Sequence, residues 1–235
     1  MKKYDAIMFD LDGTVLPMDI DYFVKSYFKV LAVKLAKHGY DPEAAIQALQ
    51  IGTHAMIKND GSKTNEQAFW DKFFELIPPR DDTKTIFESF YKNEFETVAE
   101  LFPPNPLIPD VLQISRRFAD RIILATNPLF PYFATESRIR WAGLDVSDFE
   151  LYTSYEDCHY CKPNVKYYME LFERTGLDAK KCLMVGNDAK EDTVVSELGT
   201  DVFLITDYLL NRENADISGI PHGDFPAFAE WLQSR

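Results

Sequence analysis

Apolar residues in this chain follow two rhythms. Short, nearly unbroken apolar runs end abruptly at polar residues: "AIMFD" (6–10), "RIILATN" (121–127), "FELYTS" (149–154), "KCLMVGND" (181–188) and "DVFLITD" (201–207). Runs of that length without alternation predict strands covered on both faces, as in a parallel sheet. Between the later runs, apolar positions recur at helical spacing in 130–144, 162–176 and 190–199. Pro163 near one helix start, and Gly143, Gly176 and Gly199 near helix ends, match the usual placement of these residues. Strand and helix in alternation predict an α/β fold with a doubly wound, Rossmann-like parallel sheet.

One interval breaks the alternation. From 19 to 102 no strand rhythm occurs, and four helical stretches follow one another at 21–39, 41–59, 65–77 and 81–102. Asp41-Pro42 and Asn65 read as helix starts and Gly39 as a stop. Phe23, Tyr27, Val30, Leu31 and Leu35 form a stripe that requires a partner surface. Pro103, Pro104 and Pro106 mark a stiff return. The expected organisation is a sheet domain from 1–18 and 103–235, with an all-helical cap from 19–102.

Composition narrows the function. Of 235 residues, 46% are hydrophobic and 27% charged, an ordinary globular balance. Lys and Arg total 25 against 38 Asp and Glu, a net charge of −13, which disfavours nucleic acid and anionic membranes as partners. No apolar run approaches the roughly 18 residues of a bilayer span, and "MKKYDAIMFD" meets acids before any signal-peptide core. A cytoplasmic protein is expected. Cys158, Cys161 and Cys182 make no disulfide framework, and "CHYC" (158–161) lacks the second pair of a zinc site and the strand context of a redox motif. Two reduced thiols in a loop are expected there.

In an open parallel sheet, ligands bind at the carboxyl ends of the strands, where strand order reverses. The first run ends in Asp10-Leu11-Asp12-Gly13-Thr14, the second in Thr126-Asn127-Pro128, and the fourth in Gly186-Asn187-Asp188 with Asp192 four residues on. Lys162 precedes the helix that leads into the fourth strand. Alone, each is an ordinary turn or surface residue. Together they bring carboxylates, a hydroxyl and one lysine to one rim.

These residues resemble the haloacid dehalogenase-like (HAD) superfamily, in its phosphatase branch with a helical cap after the first strand. "FDLDGTV" is similar to the first family motif, "LATN" to the second, "CKPN" to the third and "VGNDAKED" to the fourth. The resemblance implies a Mg²⁺-dependent phosphatase acting on a small phosphate monoester. Asp10 is then the nucleophile that forms an aspartyl-phosphate, and Asp12 the acid and base for leaving group and water. Gly13, Thr126, Asn127 and Lys162 are expected to hold the phosphoryl group. Asp10, Asp12 and either Asp188 or Asn187 are expected to hold the metal. The family commonly has Gly-Asp where this chain has Gly186-Asn187-Asp188; Asp188 is the favoured ligand, with Asp192 in an outer shell. Dehalogenases of the superfamily resemble a pattern with only the first Asp, so Asp12 favours phosphoryl transfer. A phosphomutase and a non-catalytic binding protein are the rival readings.

The cap is expected to choose the leaving group. Its polar stretch 52–65 offers His54, Lys58, Asn59, Lys63 and Asn65 as substrate contacts. Phe69, Trp70, Phe73 and Phe74 read as cap core, His38 as a cation at a helix end, and His222 as part of a tail segment without a signal.

Overall fold

The computed structural model describes residues 2–235. Its first strand, β1 (Tyr4–Phe9), leads into four helices, α1 (Ile20–Lys37), α2 (Pro42–Ile57), α3 (Asn65–Leu76) and α4 (Thr83–Lys92), and a 3₁₀ segment at Glu94–Leu101. The chain then forms α5 (Ile108–Phe118), β2 (Ala119–Leu124), α6 (Tyr132–Trp141), β3 (Leu151–Tyr152) and α7 (Val165–Thr175). It closes with β4 (Cys182–Gly186), β5 (Asp201–Ile205), β6 (His222–Gly223) and α8 (Phe225–Gln233). All six strands are parallel, in the order β3-β2-β1-β4-β5-β6. Strand order reverses at β1, so a crevice forms at the carboxyl ends of β1 and its neighbours.

Both sheet faces are covered, which explains the unbroken apolar runs. Ile7, Phe9, Leu183, Val185 and Phe203 pack on one face, and Ala6, Met8, Met184 and Leu204 on the other with Tyr167, Tyr168 and Leu171 of α7. Phe228 of α8 meets Phe9 edge-on, with ring centres 6.1 Å apart. The first face is continuous with the interior of the inserted helices, where the α1 stripe packs through buried Phe23, Tyr27, Leu31 and Leu35. A fully buried side chain of this kind contributes about 1.5–3 kcal/mol. Among the described residues no helix is long and apolar enough to cross a membrane.

Several elements differ from the sequence reading. The stretch 81–102 is not one helix: α4 stops at Asn93, whose ψ of −79° leaves the helical path, and a 3₁₀ segment continues. Residues 190–199 form turns and a 3₁₀ segment at Val194–Leu198. Helix α5 follows the proline run directly because Pro109 lies in its first turn, where a missing N–H costs nothing. Helix α8 starts at Asp224, whose carboxylate accepts the Ala227 N–H at 2.9 Å. The two-residue strand β6 contains His222. Helix α2 runs to Ile57, so the polar stretch begins as helix; α3 starts at Asn65 as expected, with Thr64 and Gln67 forming its cap.

Candidate active site

Strand register brings the polar ends together. Phe9 lies level with Leu124 on one side and Val185 on the other. The ladder continues one step: Asp10 N–H donates to the Val185 carbonyl at 2.9 Å, and Ala125 N–H to the Phe9 carbonyl at 2.7 Å. Asp10, Asp12, Thr126, Asn127, Asn187, Asp188 and Asp192 therefore line one cleft of about 790 Å³. The loop after β1 can turn this tightly because Gly13 has φ +83°, and a Cβ there would lie 2.2 Å from Asn187 Nδ2. Gly186 is needed for the same reason, since a Cβ would lie 2.1 Å from Asp192 Oδ2.

Lys162 ties the site together from the loop before α7. Its Nζ donates to Asp10 Oδ1 at 3.0 Å and to Asp192 Oδ1 at 2.6 Å, and only 1% of the residue is exposed. Burial works against its charge, but Asp10 and Asp192 outweigh that and hold the ammonium well above its ordinary range. Burial pushes the Asp10 carboxyl up to about 8 despite Lys162, with Asp192 and Asp12 adding to the rise. Asp192 is spent on both oxygens, its Oδ2 accepting the Asp188 N–H at 2.9 Å. The Thr126 carbonyl is pinned by hydroxyls of Thr153 at 2.6 Å and Tyr167 at 2.9 Å.

Two expected phosphoryl contacts are already occupied. Gly13 N–H donates to the Leu16 carbonyl at 2.9 Å, so this glycine supplies shape and no donor. The Asn127 amide donates to Glu191 Oε2 at 2.9 Å and the Lys162 carbonyl at 3.3 Å, which leaves any contact with a phosphoryl group to its backbone.

The acids Asp10, Asp12, Asp188, Glu191 and Asp192 outnumber the buried cations Lys162 and Arg138. Asp12 Oδ1 and Asn127 Oδ1 are buried with no hydrogen-bond partner in the protein. Among the described residues no three His, Cys, Asp or Glu side chains converge as a metal cage. Mg²⁺ does not require one: it takes one or two carboxylates and fills its shell with waters and substrate phosphate. This surplus of oxygen and negative charge fits such an ion. Asp188 Oδ1 accepts the Lys190 and Glu191 N–H groups at 2.8 and 2.9 Å, while Asn187 Oδ1 accepts the Thr14 hydroxyl at 3.1 Å.

Sequence reasoning missed Arg138 and Glu191. Arg138 on α6 is 1% exposed; its Nη1 donates to Asp12 Oδ2, and its guanidinium lies 4.4 Å from the Phe130 ring centre. Glu191 is pushed up to about 7, chiefly by burial. Glu191 stands beside Asp192 in the fourth motif and was readable there; Arg138 has no sequence signal beyond a charge inside a helix.

The expected substrate contacts in 52–65 lie elsewhere. Asn65 is fully buried, and its amide faces the Pro128 and Tyr160 carbonyls and Cys161 Sγ. Asn59 bonds Asn65 and the Lys63 carbonyl, and Lys63 pairs with Asp71 at 2.7 Å. The stretch packs against the loop around Tyr160, where Gly61 sits. Phe69 and Trp70, expected only as core, line a cavity between insert and sheet. Cys158 and Cys161 are free and buried, and burial pushes the Cys158 thiol up to about 12.

A family model described as haloacid dehalogenase-like hydrolase matches residues 4–193. No curated protein matches. Among solved structures, YfnB from Bacillus subtilis, described as a HAD hydrolase bound to magnesium, is 17% identical over 99% of this chain and 100% of its own, with a TM-score of 0.57. A HAD phosphatase from Thermococcus onnurineus is 18% identical over 99% of this chain and 98% of its own, at 0.59. The L-2-haloacid dehalogenase from Xanthobacter autotrophicus is 12% identical over 89% and 80%, at 0.53. At these identities the likeness is one of fold.

Proposed function

This chain belongs to the haloacid dehalogenase-like hydrolases, and from that membership we propose that it is a Mg²⁺-dependent phosphatase of a small phosphate monoester. The observation that carries the reading is Asp12. It lines the same cleft as Asp10, and its Oδ1 is buried with no partner in the protein. A second acid beside the nucleophile is superfluous when the leaving group departs as a stable anion such as a halide. It is required when an alkoxide must be protonated.

Asp10 attacks phosphorus; an O–P bond forms, and the bond to the leaving oxygen breaks. The proton for that oxygen comes from Asp12 Oδ1, while Arg138 on Oδ2 fixes the carboxyl plane. Water then attacks phosphorus and gives a proton to Asp12 Oδ1, the bond between the Asp10 oxygen and phosphorus breaks, and inorganic phosphate leaves with the Asp10 carboxylate restored. Lys162 stays charged throughout and neutralises the oxygens around phosphorus, with Thr126 donating its hydroxyl. The carboxylates of Asp10 and Asp188 and the backbone carbonyl of Asp12 would hold the Mg²⁺, with Asn187 beside them, and the ion would offset charge on the phosphoryl oxygens when bound. The magnesium bound to YfnB and the phosphatase from Thermococcus onnurineus support this reading.

The test is product identity. With Mg²⁺, the protein should release inorganic phosphate from methyl phosphate and no halide from L-2-chloropropionate, and chelation should stop turnover until Mg²⁺ is restored. Halide release without phosphate release would overturn the reading.

A further inference from the structure

Between the inserted helices and the sheet lies a second cavity, of about 640 Å³, that adjoins the catalytic cleft: Ile20, Leu129 and Phe130 line both. Its walls are rings, among them Tyr27 of α1, Phe69 and Trp70 of α3, Phe87 and Tyr91 of α4, and Phe130 of the sheet side. The Tyr27 and Tyr91 hydroxyls share one hydrogen bond at 2.8 Å, one donating and the other accepting.

The charged lining is Glu66, Glu88, Glu156 and Lys84. Lys84 is committed, 3.3 Å from Glu66 and 5.2 Å from the Trp70 ring centre. Glu88 pairs with Lys92 at 2.5 Å. Among the described residues Glu156 has no cationic partner; its carboxylate accepts the Tyr132 N–H at 3.2 Å, and burial holds its carboxyl above the usual range. An anion entering this space would lose its water, find no free cation and face Glu156. A flat apolar group would gain burial and ring contacts.

We infer that the alcohol released by this protein is bulky, ring-bearing and free of negative charge, and that phosphates with a second anionic group are rejected. The inference rests on the phosphatase reading for the identity of the reaction, and on the cavity alone for the identity of the leaving group. A small, charged alcohol would leave the ring-lined space unused.

Two measurements test it. The first compares kcat/KM for phosphate release from benzyl phosphate, methyl phosphate and phosphoglycolate. Benzyl phosphate should exceed both by about tenfold or more. Trp70→Ala should lower the benzyl-to-methyl ratio by about tenfold, and Glu156→Lys should raise phosphoglycolate relative to methyl phosphate. Circular dichroism checks that each variant is folded. The second, calorimetric binding of benzylphosphonate and phosphonoacetate to the wild-type protein with Mg²⁺, needs no turnover. Benzylphosphonate should bind more tightly by about tenfold or more. Phosphonoacetate binding as well as benzylphosphonate, or phosphoglycolate turning over as fast as benzyl phosphate, would overturn the inference. A tenfold preference for benzylphosphonate without turnover of any phosphate would support the inference and overturn the phosphatase reading instead.

Discussion

In the catalytic cleft, backbone sets position: Asp10 follows Phe9, which is level with Leu124 and Val185, and Thr126 and Asn187 lie two residues beyond those partners on strands hydrogen-bonded in register. In the ring-lined cavity, side-chain packing sets position: Tyr27, Trp70, Phe87 and Tyr91 come from three helices whose rotations depend on one another. The first region pays in buried charge, with Lys162 holding two acids apart. The second holds its charge in ion pairs, Lys84 with Glu66 and Lys92 with Glu88, and leaves Glu156 without a cationic partner among the described residues. A site made by strand register tolerates few substitutions, because each group answers another; a site made by packing can change its rings while its volume is kept.

That contrast can be broken at its strongest point by Asp10→Asn, which removes the nucleophile and should cut turnover by roughly 10⁴-fold or more. Preference for benzylphosphonate over phosphonoacetate should survive in the same variant, since Asp10 is not among the residues that line the ring-walled cavity. Residual turnover within about tenfold of wild type would show that another group attacks phosphorus. Lys162→Met comes next. It leaves Asp10 and Asp192 buried without their cation and should cost about 3–5 kcal/mol in urea unfolding, whereas Phe87→Leu in the cavity wall should cost about 1 kcal/mol. Equal losses would erase the distinction between the regions.

An effect smaller than that of Lys162→Met sharpens the comparison through pH. Glu191 is raised from its ordinary 4.5 to about 7, mainly by burial. Between those values the fold keeps a proton that the unfolded chain has lost. The stability this group contributes is therefore complete below 4.5 and is lost as pH rises through about 7. Metal-free Glu191→Gln should gain roughly 2–3 kcal/mol over wild type on going from pH 4.5 to pH 8. A parallel pH dependence in both proteins would place the charge elsewhere.

The same division decides what the sequence could reveal. Five strands were legible because continuous apolar runs need two covered faces, and the polar residues at their ends had to converge on one rim. Strand β6 was not, because His222 and Gly223 belong to no apolar run, whereas the equally short β3 lies within "FELYTS". Helix α5 was hidden by a proline run that reads as a stop, although Pro109 sits where a helix accepts it. Asn127 lines the cleft and Gly13 packs against Asn187, but their donors are spent on neighbours known only from the fold. Arg138 and the ring-lined cavity depend on which helix face turns inward, and amphipathic spacing alone does not say what stands opposite. The polar stretch before α3 misled for a related reason: polar side chains there satisfy one another and the adjoining loop.

Where α3 begins, the N–H groups of Asn65 and Glu66 donate to the Cys158 and Tyr155 carbonyls, each at 2.8 Å. Neither side of these bonds carries a net charge. Elsewhere the insert is tied to α6 through Glu96, which accepts the Ser137 hydroxyl at 2.5 Å and the Trp141 indole N–H at 2.8 Å and takes Arg140 at 3.3 Å in an exposed ion pair. Dissolved ions screen charges over about 8–10 Å at physiological strength but leave neutral hydrogen bonds untouched. Rising salt therefore weakens the Arg140 arm at Glu96 and spares the bonds at α3, so the insert keeps its anchorage at α3 from dilute buffer to brine.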